Sequence, residues 1–467
     1  VGALMRLVAK VKADEDWRGE LPDFGKKYEK VAKKMESLDI SGCKLDPVAG
    51  ATLGAALPLF EELQLLDVSD CGLKTIGIGA LSRAIAKLQK STINHWWLTG
   101  NYAESMGSPE CTEAVCEALL SVGLQNLTSL NMSDNALGPS GAIKLAEALG
   151  KIPREKLKLE ELLLADCQLS STGGGAITNA ASKINTLRRL DLFNCMIGDS
   201  GVEGLANLLG AADVPLTFLS LQANAITYSG AVQLANGYRE GEVSQHLVAF
   251  DFSANAIGNE CNDGTDALAD AFKARPPAKL ETLNLAENSL GDGTPTSLLK
   301  ALGVMAALTW LDLSTNRLKA DAGPAIAEGI KTTSQLKILG LNDNEALGDE
   351  AMAAIFESAT DNLKNLTELH AGKVSLMDTD DGEASPGSKA AMKLLGTGEA
   401  LSLLDLRSNP KLGSSTCGAL RAAIGERTRT VMLPDDDKAH HFSKPLDARK
   451  FTYQYVGAKA YVKKDKK

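Results

Sequence analysis

The stretch Leu130-Asn131-Met132-Ser133-Asp134-Asn135-Ala136-Leu137 decides how this chain reads. Its template is apolar, any, apolar, any, any, Asn, any, apolar. The same order returns in Leu311-Asp312-Leu313-Ser314-Thr315-Asn316-Arg317-Leu318. Allowing Cys in the Asn column, the template recurs along the chain, and that column reads Cys43, Cys71, Asn101, Asn135, Cys167, Cys195, Asn224, Asn255, Asn288, Asn316, Asn344, Val374 and Asn409. The mean step is about 30 residues, a period that marks stacked repeats.

Each part of the template has a physical reading. Alternation predicts a short strand whose Leu130 and Met132 face inward while their neighbours face outward. The Asn turns the chain, and its amide can satisfy backbone groups of its own turn and of the neighbouring coil. Stacking then places these amides in a buried ladder. Cys fits the same place as a small hydrophobe and weak donor. Val374 can donate nothing there, so the twelfth repeat is expected to be locally weaker. Six positions after the ladder a glycine recurs, at Gly77, Gly141, Gly173, Gly201 and Gly230, and an Ala/Leu-rich helix such as Ala142-Ile143-Lys144-Leu145-Ala146-Glu147-Ala148-Leu149 follows. The fold class expected is α/β, with parallel strands on a concave face and helices on a convex one. A degenerate last strand at Val431-Met432-Leu433 closes the C-terminal end. Each repeat buries its edge only against a neighbour, so the ends need caps.

These columns resemble the leucine-rich-repeat superfamily, in its ribonuclease-inhibitor type, over roughly residues 35–433. The resemblance implies a horseshoe solenoid that serves as a platform for protein partners. Similar repeats occur in the Ran GTPase-activating protein and in immune-receptor sensor regions. The former family has a strongly acidic C-terminal region, whereas this chain ends Lys463-Lys464-Asp465-Lys466-Lys467. GTPase regulation is therefore the alternative reading, and no functional residue is carried over from it.

Composition narrows the partners. The formal charge of −10 is uneven: residues 1–34 and 438–467 are each net basic, so the body between them is more acidic than the whole. An acidic body argues against nucleic acid, which needs a basic stripe. No apolar run approaches the roughly 20 residues that span a bilayer, so no membrane insertion is expected. Four of the eight Cys stand in the ladder column and none forms a CxxC pair, a pattern of packing and not of disulfides. An intracellular, reducing compartment is expected, the cytoplasm or an organelle reached after a presequence before Val1 is removed.

No catalytic constellation is visible. The five His are scattered: His370 falls on the concave strand face, and His95, His246, His440 and His441 fall in connecting or tail positions. There is no phosphate-binding loop of Walker type and no HExxH, so neither enzyme activity, cofactor nor metal is expected.

Binding residues are sought on the outward strand positions. These carry Asp39, Asp67, Asp191, Asp251, Asp312 and Asp405, while Asp70, Asp134, Asp166, Glu287 and Asp343 precede ladder residues. Against them stand Lys373 and Arg407, and the outward aromatics are Trp97 and Phe193. The candidate concave-face site is thus Trp97, Asp191, Phe193, Asp251, Asp312, Asp405 and Arg407, which would attract a basic patch. The competing reading is that Leu-Asp-Leu-Ser recurs in such repeats whatever the partner. The acidic insertion 377–387 reads as a surface loop. Residues 1–34 read as capping helices or a docking extension. The tail 434–467 sets Phe442, Phe451, Tyr453, Tyr455 and Tyr461 among lysines and arginines, for docking on an acidic partner or folding back onto the body. The function expected is a non-catalytic protein–protein interaction scaffold, a subunit of a larger assembly.

Overall fold

Every template segment forms a three-residue strand, because the turn imposed by the ladder residue ends each strand as soon as its inward side chain is buried. The structure, a computed structural model, describes residues 32–434 apart from 44, 91, 102–107 and 426–428. It divides into two units, the first made of residues up to Leu280 with Ala286–Met305, the second of Glu281–Leu285 with Ala306 onward. Most of the expected N-terminal cap, and all of the aromatic tail from Phe442 to Tyr461, lie outside the described residues.

The first unit holds β1 (Ser37–Asp39), β2 (Leu65–Asp67), β3 (His95–Trp97), β4 (Ser129–Asn131), β5 (Glu161–Leu163), β6 (Arg189–Asp191), β7 (Phe218–Ser220) and β8 (Ala249–Asp251). The second holds β9 (Thr282–Asn284), β10 (Trp310–Asp312), β11 (Ile338–Gly340), β12 (Glu368–His370), β13 (Leu403–Asp405) and β14 (Thr430–Met432). Within each unit neighbours in sequence are neighbours in the sheet, parallel and in register, so Leu130 meets Leu162 and Leu311 meets Leu339. Among the described residues each unit is an α/β stack in which parallel strands alternate with helices. Leu130, Leu162, Leu190 and Leu311 are fully buried, and Met132 is 1% exposed.

A helix follows each ladder turn. In Gly138–Lys151, Ala142, Leu145, Ala146 and Leu149 are buried and Ile143 looks outward, the spacing of one apolar helix face. At Gly77, Gly173 and Gly201 the recurrent glycine lies against the backbone of the preceding repeat. A Cβ on Gly201 would stand 2.9 Å from the Ser171 carbonyl oxygen, and one on Gly173 would stand 3.0 Å from Pro139 Cα. The residues Gly173, Gly174 and Gly175 sit inside the helix Ser170–Ala181 and not in the turn before it.

The ladder is a set of two-sided amides. Asn344 donates through Nδ2 to the carbonyls of Leu313 (3.0 Å) and Leu341 (2.8 Å), and its Oδ1 accepts from the N–H groups of Asn316 and Leu318, both at 3.0 Å. Asn224 does the same between Leu192 and Cys195, and Asn409 between Ala371 and Val374. Asn101, Asn135, Asn255, Asn288 and Asn316 likewise send Nδ2 to carbonyls of the repeat before. Cys makes a weaker form of the same exchange: Cys71, Cys167 and Cys195 direct Sγ to the carbonyls of Ile40, Met132 and Leu164 at 3.1, 3.2 and 3.0 Å, and the backbone N–H groups of Cys43, Asn135 and Cys167 face those sulfurs. Cys43 is fully buried in the same column. Burial pushes the Cys71 and Cys195 thiols up to about 12, so they stay protonated and able to donate.

Val374 is fully buried and keeps neither half of the exchange. Its own turn is held by Asn409, whose Oδ1 accepts from Val374 and Leu376 at 3.0 and 3.1 Å. What is missing is an oxygen toward Asn344 N–H and a donor toward the Leu341 carbonyl. The insertion that follows is pinned at both ends. Asp349 accepts from Ser385 and Gly387, and Asp378 accepts from Gly413, leaving an exposed acidic tip at residues 379–383. Among the described residues no helix is long and apolar enough to cross a membrane.

Asn344→Ala strands the four partners named above, across two repeats, and should cost about 1–3 kcal/mol, with Asn344→Cys intermediate. Val374→Asn should instead raise stability by about 1 kcal/mol, by completing the ladder. Urea midpoints of the three variants check both signs; a destabilising Val374→Asn would contradict the two-sided amide account.

Candidate protein-binding face

The outward positions of each strand form rows across the sheet, because register is exact from repeat to repeat. In the first unit the opening row of β3–β7 is His95, Ser129, Glu161, Arg189 and Phe218. The closing row of β2–β8 is Asp67, Trp97, Asn131, Leu163, Asp191, Ser220 and Asp251.

The aspartates of the closing row have a job inside the chain. Asp39, Asp67, Asp191, Asp251, Asp312 and Asp405 each accept, through Oδ1, the backbone N–H two residues on, at 2.9–3.1 Å. Asn131 does the same for Ser133 without any charge. This side-chain turn caps the exit from the strand. Its geometry folds the carboxylates down: Asp67, Asp251, Asp312 and Asp405 are 8%, 3%, 4% and 3% exposed. An open row of acids along the face, as the sequence suggested, is therefore not what these four present. The second acidic column also has a backbone reason. Asp70, Asp134, Asp166, Glu287 and Asp343 have φ between 54° and 58°, the left-handed region that Asp and Asn tolerate best.

Trp97, Asp191 and Phe193 remain partly exposed. Trp97 is held from both sides. Its Nε1–H donates to Ser129 Oγ at 3.0 Å, Ser129 donates in turn to Glu161 Oε2 at 2.7 Å, and the His95 ring stacks on the indole at 6.1 Å and 26°. Burial lowers the His95 pKa from the ordinary value, against the opposing charges of Glu161 and Glu160. His95 thus opens β3 on the outward face, not in a connecting position. Asp191 and Phe193 flank the inward Leu192, three strands from Trp97, a span of about 14 Å at about 4.8 Å per strand. Asp251 lies two strands beyond Asp191.

The opening row holds residues the sequence reading passed over. Arg189 lies with its guanidinium 4.4 Å above the Phe218 ring and is 7% exposed, so Lys373 and Arg407 are not the only cations near the acids. Trp310 opens β10 in the second unit and is 3% exposed. The signal was available: the residue two before each outward Asp shares its face.

In the second unit the closing row is Asn284, Asp312, Gly340, His370 and Asp405. Gly340 leaves room for Asp312, since a Cβ there would collide with its carboxylate. Burial raises the Asp312 pKa, opposed by hydrogen bonds from Ser314 and by His370. His370 Nε2 stands 3.1 Å from Glu368 Oε2, and that contact holds the Glu368 carboxyl below its ordinary range. Arg407 clamps Asp405 through Nε (2.9 Å) and Nη2 (2.7 Å), which raises the Arg407 pKa. Lys373 reaches Glu345 at 2.8 Å and Asp343 at 3.4 Å. The second unit therefore brings Asp312, Asp405 and Arg407 into one row system, but with the charges already paired or capped.

Comparison with known proteins gives a consistent picture. The family described as Leucine Rich repeat matches residues 123–146 and 183–206. The ribonuclease inhibitor of Sus scrofa is 26% identical over 375 residues, covering 78% of this chain and 74% of that protein. The human NACHT, LRR and PYD domains-containing protein 13 is 29% identical over 224 residues, 48% of this chain. The chain spans about a fifth of that relative's length, 20%. Among solved structures, the Rad7 and Elc1 complex of yeast aligns over 92% of each chain at 16% identity, with a TM-score of 0.47.

Because burial places the folded-state pKa of Asp312 above its unfolded value, this carboxyl contributes stability below the unfolded value and loses it as pH rises through the folded one. Asp312→Asn keeps an oxygen for the Ser314 N–H and removes that loss. Its stability relative to the natural protein should therefore rise between about pH 4 and about pH 7. Denaturant midpoints of both proteins at the two pH values check this, and a gap that narrows would contradict it.

Proposed function

The chain is a leucine-rich-repeat protein of the ribonuclease-inhibitor type, and from that premise we propose that it is a non-catalytic scaffold that binds other proteins as a subunit of a larger assembly. The observation that carries this reading is Trp97, a partly exposed indole that no core position requires, fixed by Ser129 and His95 on the strand face. A pre-positioned aromatic loses little rotamer freedom on docking, and such residues are enriched among those that dominate binding. Asp191 and Phe193 extend the same face. Asp251 on that unit, and Asp312 and Asp405 on the other, are read as structural caps of their turns, with Arg407 paired to Asp405.

A second attachment is proposed at residues 438–467, where Phe442, Phe451, Tyr453, Tyr455 and Tyr461 stand among lysines and arginines. Aromatics would supply buried area, and the positive charge would steer the segment to an acidic partner surface. The buried thiols, raised by desolvation and used as donors, suit an intracellular, reducing compartment. The pig ribonuclease inhibitor is named for inhibiting an enzyme, and binding of a protein target without turnover is the role proposed here.

Crosslinking mass spectrometry on native extract tests the reading, with Trp97→Ala and a deletion of 438–467 as controls. Trp97→Ala should weaken capture of the strand-face partner by about 2 kcal/mol or more at an unchanged melting temperature. The deletion should remove a separate set of partners. A multi-turnover acceleration of GTP hydrolysis by any small GTPase would overturn the scaffold reading.

A further inference from the structure

Away from the strand face, the first unit carries a cleft of about 260 Å³ where two consecutive helices hand over to their strands. One wall is the end of the helix Pro109–Leu120 with the short turn Val122–Leu124, and the other is the end of the helix Gly138–Lys151 with the loop up to Leu159. Buried Leu119, Leu124, Leu149 and Leu159 form the floor. At the mouth, Leu120 and Val122 are 47% and 48% exposed, two of the few large apolar side chains so open among the described residues. They are adjacent in space and border a concavity, an arrangement that marks binding surfaces and not scattered surface apolars.

Charge makes this cleft unlike the rest of the body. Lys151, Lys156 and Lys158 line it, all exposed, and no acid does. Lys158 donates to Asn126 at 2.7 Å, and neighbouring Arg154 is held by Asp213 across the loop. The corresponding cleft nearer the N-terminus, about 280 Å³ and bordered by Phe60, Lys87 and Lys90, includes Glu61, which already faces Lys33 at 3.3 Å. A basic rim without a partnered acid, on a chain of charge −10, is local and unpaid for by the fold.

We propose that this cleft docks a short acidic segment of another protein, with one aliphatic or aromatic side chain entering between Leu120 and Val122 and flanking carboxylates meeting Lys151, Lys156 and Lys158. The volume lies below the roughly 300–1,000 Å³ of small-molecule pockets, which favours a single anchor side chain over a whole metabolite. The chain's own termini do not fit, because residues 1–34 and 438–467 are both net basic. This surface is separate from the strand face, so it stands whether or not Trp97 binds a partner.

The test is fluorescence anisotropy with the full chain and three labelled peptides: a run of Asp and Glu around one Leu, the same run around Ser, and a Lys/Arg run around Leu. The acidic Leu peptide should bind best and weaken steeply with salt. Lys156→Glu with Lys158→Glu should weaken it by about tenfold or more, and Val122→Ser by several-fold, since rim charge reversal and loss of the anchor contact act separately. All three positions border solvent, so unchanged melting temperatures and unchanged Trp97-dependent capture confirm that the variants are folded. Equal binding of all peptides, no binding, or indifference to the lysine variants would overturn the proposal. So would flotation with anionic lipid vesicles that needs these lysines while the peptides do not bind, or a lysine-dependent dimer in sedimentation without peptide binding.

Discussion

The constraint on which everything else depends is the buried turn after each strand. Three strand residues leave backbone N–H and C=O groups with nowhere to go once the chain bends toward its helix. In a fold this thin, water cannot be left inside to serve them. Where the column holds Asn, its amide solves the problem from both sides, donating to carbonyls of its own and the preceding turn while accepting from the preceding turn's N–H groups, as Asn344 does for Asn316, Leu318 and Leu313. The repeats are therefore tied by polar bonds as much as by leucine packing. Cys can hold the column because its thiol donates to a carbonyl of the preceding turn while its sulfur faces that turn's N–H groups, a weaker form of the same exchange.

The same economy of local structure shapes the outward face. A carboxylate at the end of a strand caps the next turn, and a left-handed residue two or three places later favours Asp or Asn again. Much of the acidity at these positions is thus a by-product of ending strands, as six aspartates do among the described residues. Trp97 with His95 is not used by any turn, and Asp191 and Phe193, although joined in a turn cap, stay partly exposed on strands whose inward residues already fill the core.

A second economy appears at the other edge, where helices end. There the chain must re-enter the sheet, and each re-entry leaves a shallow apolar seam between successive repeats. Between Leu120 and Lys158 the seam stays open and gathers lysines, which the ladder, the caps and the helix packing do not call upon.

The sequence by itself determined the repeat, its register and its core: the spacing of Leu130, Met132 and Asn135 admits one pairing of strand, turn and helix, because a slip of one residue would turn every leucine outward. It also marked Val374 as the break in the ladder, since a hydrocarbon cannot exchange hydrogen bonds. It did not distinguish a turn-capping aspartate that is covered from one that stays open, because Asp251 and Asp191 occupy the same column, make the same cap and differ in how their neighbours cover them. Nor did it count His95 and Arg189, or Trp310 in the second unit, among the outward residues of their strands. Those distinctions were decided by tertiary structure, because exposure is a property of the side chains on adjacent strands, which lie about thirty residues away in sequence and 4.8 Å away in space.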